Sequence, residues 1–323
     1  TQITNGLGTK SEIKFANYTD NNTYTYSSTD NVYTLHGPIK YVSEVNTSNN
    51  GKALSSVHYT FNTLKYHKDK GLLGYSSMTA EDDITKRKTE TVFETNTTFY
   101  VPYIKTLTNY FNGNKLSTTT NTYTFESKGD KQYFMYLSKT SQTDNLTSAT
   151  VSTTLDIDIF SGNLNSKKVE YGSEGSILTE YSGYYSSNNI NKPTLVTTTR
   201  TQNGSANTKV RYTYDSYGNV ATSRDIYGNI TEYYYCADHT NYDYVVLPNI
   251  SGKPSPKVTY TYDGYKRLVT HKKTEVGSDV FDESYEYDDY GMLTRYTDKA
   301  GMLKGYCYDS YGIKTMEVDA NTH

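Results

Sequence analysis

The sequence predicts an all-β protein built as an antiparallel hairpin ribbon, and three observations predict it. The chain of 323 residues holds 37 tyrosines and no tryptophan, while Leu, Ile, Val and Phe are sparse. Tyrosine supplies the missing apolar area with its ring, and Tyr and Thr both favour pleated, half-exposed surfaces. The motif Tyr-x-Tyr-Asp recurs along the C-terminal third, each time followed by turn residues. No window sustains an apolar period of 3.6 residues, so helix is expected in no more than a turn or two.

Residues 1–205 read as a Tyr/Thr-rich β region and residues 206–323 as the repeats. In the first region, "YTFNTLKYHKDKGLLGYSSMTAEDDITKRKTETVFET" (59–95) shows a Tyr-rich strand, a Gly-punctuated turn and a Thr-rich strand. The stretch "LDIDIF" places Asp156 and Asp158 on one face of an alternating strand, with Leu155, Ile157 and Ile159 on the other. Gly-rich "YGSEGS" from Tyr171 reads as a hairpin turn, since it lacks the Lys-Ser or Lys-Thr of a phosphate loop.

Aligned on aspartate, the repeats are "YTYDSYGNV" at Asp215, "YTYDGYKRL" at Asp263, "YEYDDYGML" at Asp288 and "YCYDSYGIK" at Asp309. Residues two apart on a strand share a face, so Tyr212 with Tyr214, Tyr260 with Tyr262, Tyr285 with Tyr287 and Tyr306 with Tyr308 should project as pairs. Asp followed three residues later by Gly218, Gly291 or Gly312 is the signature of a type I turn closed by a left-handed residue. Weaker copies, Asp225 with Gly228 and Asp298 with Gly301, follow about one hairpin later. At the second motif, Asp263, Lys266 occupies the glycine position, and Gly264 is the expected substitute. The segment 236–257, which holds Pro248, Pro254 and Pro256, reads as an excursion from the ribbon.

The charges exclude one class of partner. Lys plus Arg number 32 against 35 acids, a net charge of -3, which leaves no basic excess for nucleic-acid phosphates. No apolar run is long enough to span a bilayer, and the start at Thr1, without Met, reads as a piece of something larger. Cys236 and Cys307 have no Cys-x-x-Cys spacing and read as structural thiols. The six histidines, His36, His58, His67, His239, His271 and His323, show no metal-binding spacing, though His58 and His67 could sit on neighbouring strands. No nucleophile elbow occurs. The sequence therefore predicts no enzyme, no metal and no cofactor, and the repetition itself argues for structure, because a site needs its residues only once.

Tyr-Asp-x-x-Gly repeats of this kind resemble the YD repeats of RHS proteins, teneurins and bacterial toxin complexes (Tc toxins). The upstream segment is similar to the one preceding the repeats in the Tc B component and related plasmid virulence proteins. The matching positions are His67, Gly71, Leu72, Leu73, Gly74 and Tyr75, with Tyr75 standing where those proteins usually have Phe. The similarity runs on through Phe125 and covers most of the chain. It implies a spiral or curved β-sheet closing as a hollow shell, in a secreted or cell-surface bacterial protein. The calcium-loop pattern of the family's propeller and the Asp-Pro of its self-cleaving core do not occur here. The implied role is that of non-enzymatic wall around a polypeptide toxin cargo. The implied partners are other segments of the same shell, a companion shell subunit, the cargo and a delivery machine. The alternative reading is a surface adhesion module whose tyrosine-rich sheet faces bind a cell-surface glycan or a protein.

Overall fold

Alternation of Tyr and Thr with small polar residues commits nearly all of the chain to pleated backbone, and in the computed structural model every long element is a strand. The structure describes residues 1–5, 8–18, 28–29, 31–35, 39–130, 132–187, 190–201, 206–249 and 252–319, without the side chains of 28–29, 185–187, 190 and 206. His36 and His323 lie outside the described residues. The one complete helical element among the described residues is the 3₁₀ turn Gly172–Glu174. The chain forms two compact units, Thr1–Leu178 with Arg200–Ser205, and Thr179–Thr199 with Ala206–His323. The stretch Thr179–Thr199 thus groups with the repeats.

In the first unit, β1 (Gln2–Thr4) pairs with β2 (Thr9–Asn17). A short hairpin of β3 (Ser28–Thr29) and β4 (Val32–Thr34) follows. Next come β5 (Lys40–Asn49) and β6 (Lys52–His67). Strand β2 runs against β5, and the C-terminal half of β6 receives β4. From β6 the order is sequential and antiparallel through β7 (Gly71–Asp82), β8 (Arg87–Thr95), β9 (Pro102–Phe111) and β10 (Asn114–Gly129). It continues through β11 (Gln132–Asp144), β12 (Thr150–Ile157) and β13 (Leu164–Glu170). Threonine and serine line one strand against the next: Thr143 and Thr150 hydroxyls lie 2.9 Å apart, and those of Ser141 and Ser152 2.7 Å. Such cross-strand hydroxyl pairs stabilise a polar sheet face.

The apolar centre of this unit is small and sits at the Gly-Leu-Leu-Gly segment. Lys65 faces Gly74 and Tyr66 faces Leu72, so Leu73 is the extra residue of a β-bulge. Gly74 takes φ 86°, which only glycine adopts cheaply. The bulge turns Leu73 inward, to 3% exposure, and leaves Leu72 at 62%. Leu64 and Tyr18 are buried with it, and the Tyr18 hydroxyl accepts the Leu64 amide at 2.8 Å. The Tyr75 ring lies tilted 4.6 Å from Phe61 and 5.8 Å from Tyr18, and burial pushes its phenol up. His67 is buried against Tyr100, ring centroids 4.0 Å apart, with Nδ1 accepting the Asp69 amide at 3.1 Å.

Two sequence expectations fail here. His58 and His67 lie on the same strand, β6, because the strand is 16 residues long, beyond what the local pattern suggested. His58 pairs instead with Asp83, 3.0 Å away. Asp158 lies past the end of β12, so it does not share a strand face with Asp156. A bulge between Asp156 and Ile157 precedes the last pair, Ile157 with Leu164, and Asp158 Oδ1 accepts the amides of Phe160 and Ser161 in the turn. Those two amides hold its carboxyl below the ordinary range.

The second unit contains β15 (Ile190–Arg200), which follows β14 (Ser176–Ser187) in the chain. A ladder of ten strands succeeds them: β16 (Ala206–Tyr214), β17 (Val220–Arg224), β18 (Ile230–Tyr235), β19 (Tyr242–Val246) and β20 (Lys257–Tyr262). It goes on with β21 (Val269–Val276), β22 (Asp279–Tyr287), β23 (Leu293–Thr297), β24 (Leu303–Tyr308) and β25 (Lys314–Asp319). Each pairs antiparallel with the next. The segment 236–257 is therefore not an excursion: β19 lies inside it, hydrogen-bonded to β18 and β20. Tyr242, Tyr244, Val245 and Val246 supply the β-branched and aromatic residues that a central strand needs.

Candidate functional site

The repeated feature of the second unit is a hairpin turn held together by its leading aspartate. In the Asp288 turn, the Asp288 amide donates to the Met292 carbonyl at 3.0 Å, and the Gly291 amide donates to the Asp288 carbonyl at 3.0 Å. Asp288 Oδ1 accepts the amides of Tyr290 and Met292 at 3.0 and 2.9 Å. An aspartate is required because its short side chain reaches two amides that the turn leaves unpaired. Gly291 sits at φ 83°. The same bonds recur at Asp215, Asp225, Asp298 and Asp309, with Gly218, Gly228, Gly301 and Gly312 in the left-handed position.

The Asp263 turn keeps the left-handed residue at the same offset but is one residue longer. Lys266 itself takes φ 56°, and Gly264 does not take a positive φ, so the expected substitution by Gly264 does not occur. Arg267 is the added residue, and Asp263 Oδ1 accepts the amides of Arg267 and Leu268 at 2.6 and 3.0 Å. The longer loop moves the closing bond to the Leu268 carbonyl.

A fifth turn of the Tyr-x-Tyr kind, after the four at Asp215, Asp263, Asp288 and Asp309, lies at 236–241. Cys236 stands where the others have Asp, its amide donating to Asn241 at 2.8 Å, and His239 stands where they have Gly, with φ 58°. The loop has the length of the Asp263 turn. Burial and the nearby Asp243 and Asp238 push the Cys236 thiol up, which disfavours the nucleophilic thiolate. Its Asp238 pairs with Lys266 of the next turn at 3.0 Å, which holds the carboxyl down at about 2.

Two further devices mark all five copies. One is a β-bulge: Ala221, Asp243, Thr270, Thr294 and Thr315 are each skipped in the pairing that follows the turn. Three of these are threonines whose hydroxyls donate to carbonyls across the hairpin, Thr270 to Thr261, Thr294 to Glu286 and Thr315 to Cys307, at 3.1 to 3.2 Å. The other is a tyrosine lock. The second tyrosine of each motif donates its hydroxyl to a carbonyl of the strand before: Tyr214 to Pro193, Tyr235 to Val220, Tyr262 to Tyr242, Tyr287 to Val269 and Tyr308 to Leu293, at 2.7 to 3.1 Å. In the last four the acceptor is the first residue of that strand. Burial pushes the phenols of Tyr214, Tyr235, Tyr262 and Tyr287 up.

Antiparallel alternation sorts the turns by edge. The five tyrosine-locked turns, at 215, 236, 263, 288 and 309, all fall on one edge of the ladder. The weaker turns at 225 and 298, with Gly277 and the Pro-containing loop before β20, fall on the other. Along the first edge each turn touches the next. Asn219 donates to the His239 carbonyl at 2.9 Å and Asn241 to the Lys266 carbonyl at 2.6 Å. Leu268 and Met292 then lie beside Gly291 and Gly312. On the strands, the rings of Tyr212 and Tyr214 lie 6.5 Å apart at 29°, those of Tyr285 and Tyr296 5.2 Å apart. Tyr260 and Tyr306 occupy the corresponding first-tyrosine positions on β20 and β24. No cluster of three or more His, Cys, Asp or Glu able to hold a metal occurs among the described residues.

No family model matches the chain, and no curated protein matches it by sequence. Solved structures do. The crystal structure of TcdB2-TccC3, a Tc toxin, superposes with a TM-score of 0.61 over 98% of this chain at 9% identity. TcdB2-TccC3 without its hypervariable C-terminal region gives 0.62 over 98% at 8% identity, and TcdB2-TccC3-TEV gives the same values. The chain has the fold of part of TcdB2-TccC3. It spans about a quarter of the length of those chains, 24% in each. No helix among the described residues is long and apolar enough to cross a membrane.

Proposed function

We propose that the chain is a stretch of β-shell wall that, in a longer parent protein, encloses and protects a polypeptide cargo for delivery. The observation that carries this reading is the fold match over 98% of the chain to TcdB2-TccC3. The local chemistry supports it. Turn acids, bulge threonines and tyrosine locks satisfy the polar groups of a wall only one strand layer thick, which has little core to rely on. Strand faces rich in Tyr, Thr and Asn would limit the apolar surface on which an unfolded cargo could collapse. The role is structural and not catalytic, and the partners are other wall segments, a companion shell subunit, the cargo and a delivery machine, outside the bacterium or at its surface.

The test is protease challenge of the parent protein produced with its companion subunit, followed by electron cryomicroscopy. A hollow particle with residues 1–323 in its wall, and an internal polypeptide digested only after the particle is opened, is the expected result. A solid particle, or a cargo cleaved at the rate of the free polypeptide, would contradict the proposal.

A further inference from the structure

The second tyrosine of each motif is half-buried and locked, but a further set of tyrosines is not. The residue two after each turn acid is a tyrosine in four of the five locked turns: Tyr217, Tyr265, Tyr290 and Tyr311, exposed by 64%, 80%, 89% and 79%. All four stand on the same edge of the ladder. From Tyr265 to Tyr290 to Tyr311 they are two strands apart, a spacing of about 9.6 Å. Tyr217 has one face covered by His239, ring centroids 3.6 Å apart, and Tyr265 has Arg267 over its ring at 5.0 Å. Among the described residues, no ring or cation covers Tyr290 or Tyr311, exposed by 89% and 79%. Between those two rings lies a cleft of about 570 Å³, lined also by Met292, Tyr306, Asp288 and Asp309.

We propose that the Tyr290–Tyr311 cleft is a binding site for an extended β-1,4-linked glycan, with Tyr265 as the next rung. The proposal does not depend on the shell reading. The apolar C–H face of a pyranose stacks on the electron-rich face of an aromatic ring, and in a β-1,4 chain every second sugar presents the same face. Two strand spacings match that disaccharide repeat. The turns use Oδ1 of Asp288 and Asp309 for backbone amides, and the second carboxylate oxygens remain as acceptors for sugar hydroxyls. A cleft with aromatic walls and a few convergent polar groups is how small ligands are held. A polyproline helix repeats at about 9.3 Å and would fit the rings equally. Proline carries no backbone N–H, however, so such a segment brings carbonyls toward the carboxylates and donates nothing to them.

The experiment titrates the whole chain with cellohexaose, chitohexaose and a ten-residue proline-rich peptide by calorimetry. The expected result is binding of at least one hexasaccharide, weakened at least tenfold in Tyr290→Ala/Tyr311→Ala at unchanged Tm. Tyr227→Ala, on the opposite edge and 87% exposed, should bind like the parent chain. Absence of saccharide binding at millimolar concentration, equal loss in Tyr227→Ala, or binding of the peptide alone would each overturn the proposal. None of these outcomes bears on whether the parent protein forms a shell.

Discussion

The hydroxyl of Tyr287, the last residue of β22, donates to the carbonyl of Val269, the first residue of β21, across 3.0 Å. Because β21 and β22 are joined at the far end of the ladder, this bond ties the open end of the hairpin beside the Asp288 turn. Tyr287→Phe removes the donor and keeps the ring, and should cost about 1 kcal/mol in urea unfolding. Tyr290→Phe, whose hydroxyl is exposed, should stay within about 0.5 kcal/mol of the parent. Equal effects would mean that the tyrosine lock contributes nothing.

The left-handed positions give opposite signs at two places. Gly291→Ala places a Cβ at φ 83° and 3.5 Å from Leu268 Cδ1, and should destabilise by about 1 kcal/mol or more. Lys266→Gly relieves a non-glycine residue at φ 56° and should stabilise by up to about 1 kcal/mol, since the exposed pair with Asp238 is worth little. Gly264→Ala, with nothing within 4 Å of the new Cβ, should be nearly neutral. Chemical denaturation of the three variants decides.

In the first unit, Leu73→Ala should cost about 2 to 4 kcal/mol and Leu72→Ala under about 0.5 kcal/mol. The bulge at Gly74, not hydrophobicity, separates the two neighbours. Comparable losses would place the bulge wrongly.

Alkali should unfold the ladder through its tyrosines. The phenols of Tyr214, Tyr235, Tyr262 and Tyr287 are raised by burial from the ordinary value of 10, and that of Tyr296 to about 12 by its bond to the Glu283 carboxylate. A raised pKa favours the protonated phenol in the folded state, so this stability is complete below pH 10 and is lost as pH climbs toward 12. Tyrosinate absorbance and loss of β-sheet circular dichroism should rise together in that window. Full ionisation of all tyrosines near pH 10 with the sheet intact would contradict it.

How much of this was legible depended on chemical uniqueness. Asp288 and Gly291 could be read as a turn because few residues accept two amides or take a positive φ without cost. Cys236 and His239 hid a fifth copy because neither residue announces the geometry it adopts. The carbonyl partners of the tyrosine hydroxyls depend on strand register, which the period alone does not specify. The sorting of strong and weak turns onto opposite edges follows from counting strands, but only once β19 is recognised between Cys236 and Pro248. Leu73 and Leu72 are indistinguishable until the bulge is known.

The central claim is that one turn, repeated, builds the ladder, and Cys236→Asp tests it most directly. If 236–241 is a copy of the Asp263 turn, the new carboxylate should accept two backbone amides as Asp263 does, and stability in urea should hold or rise by up to about 1 kcal/mol. A loss of about 1 kcal/mol or more, as expected for a charge placed in a half-buried thiol site, would contradict the repeat.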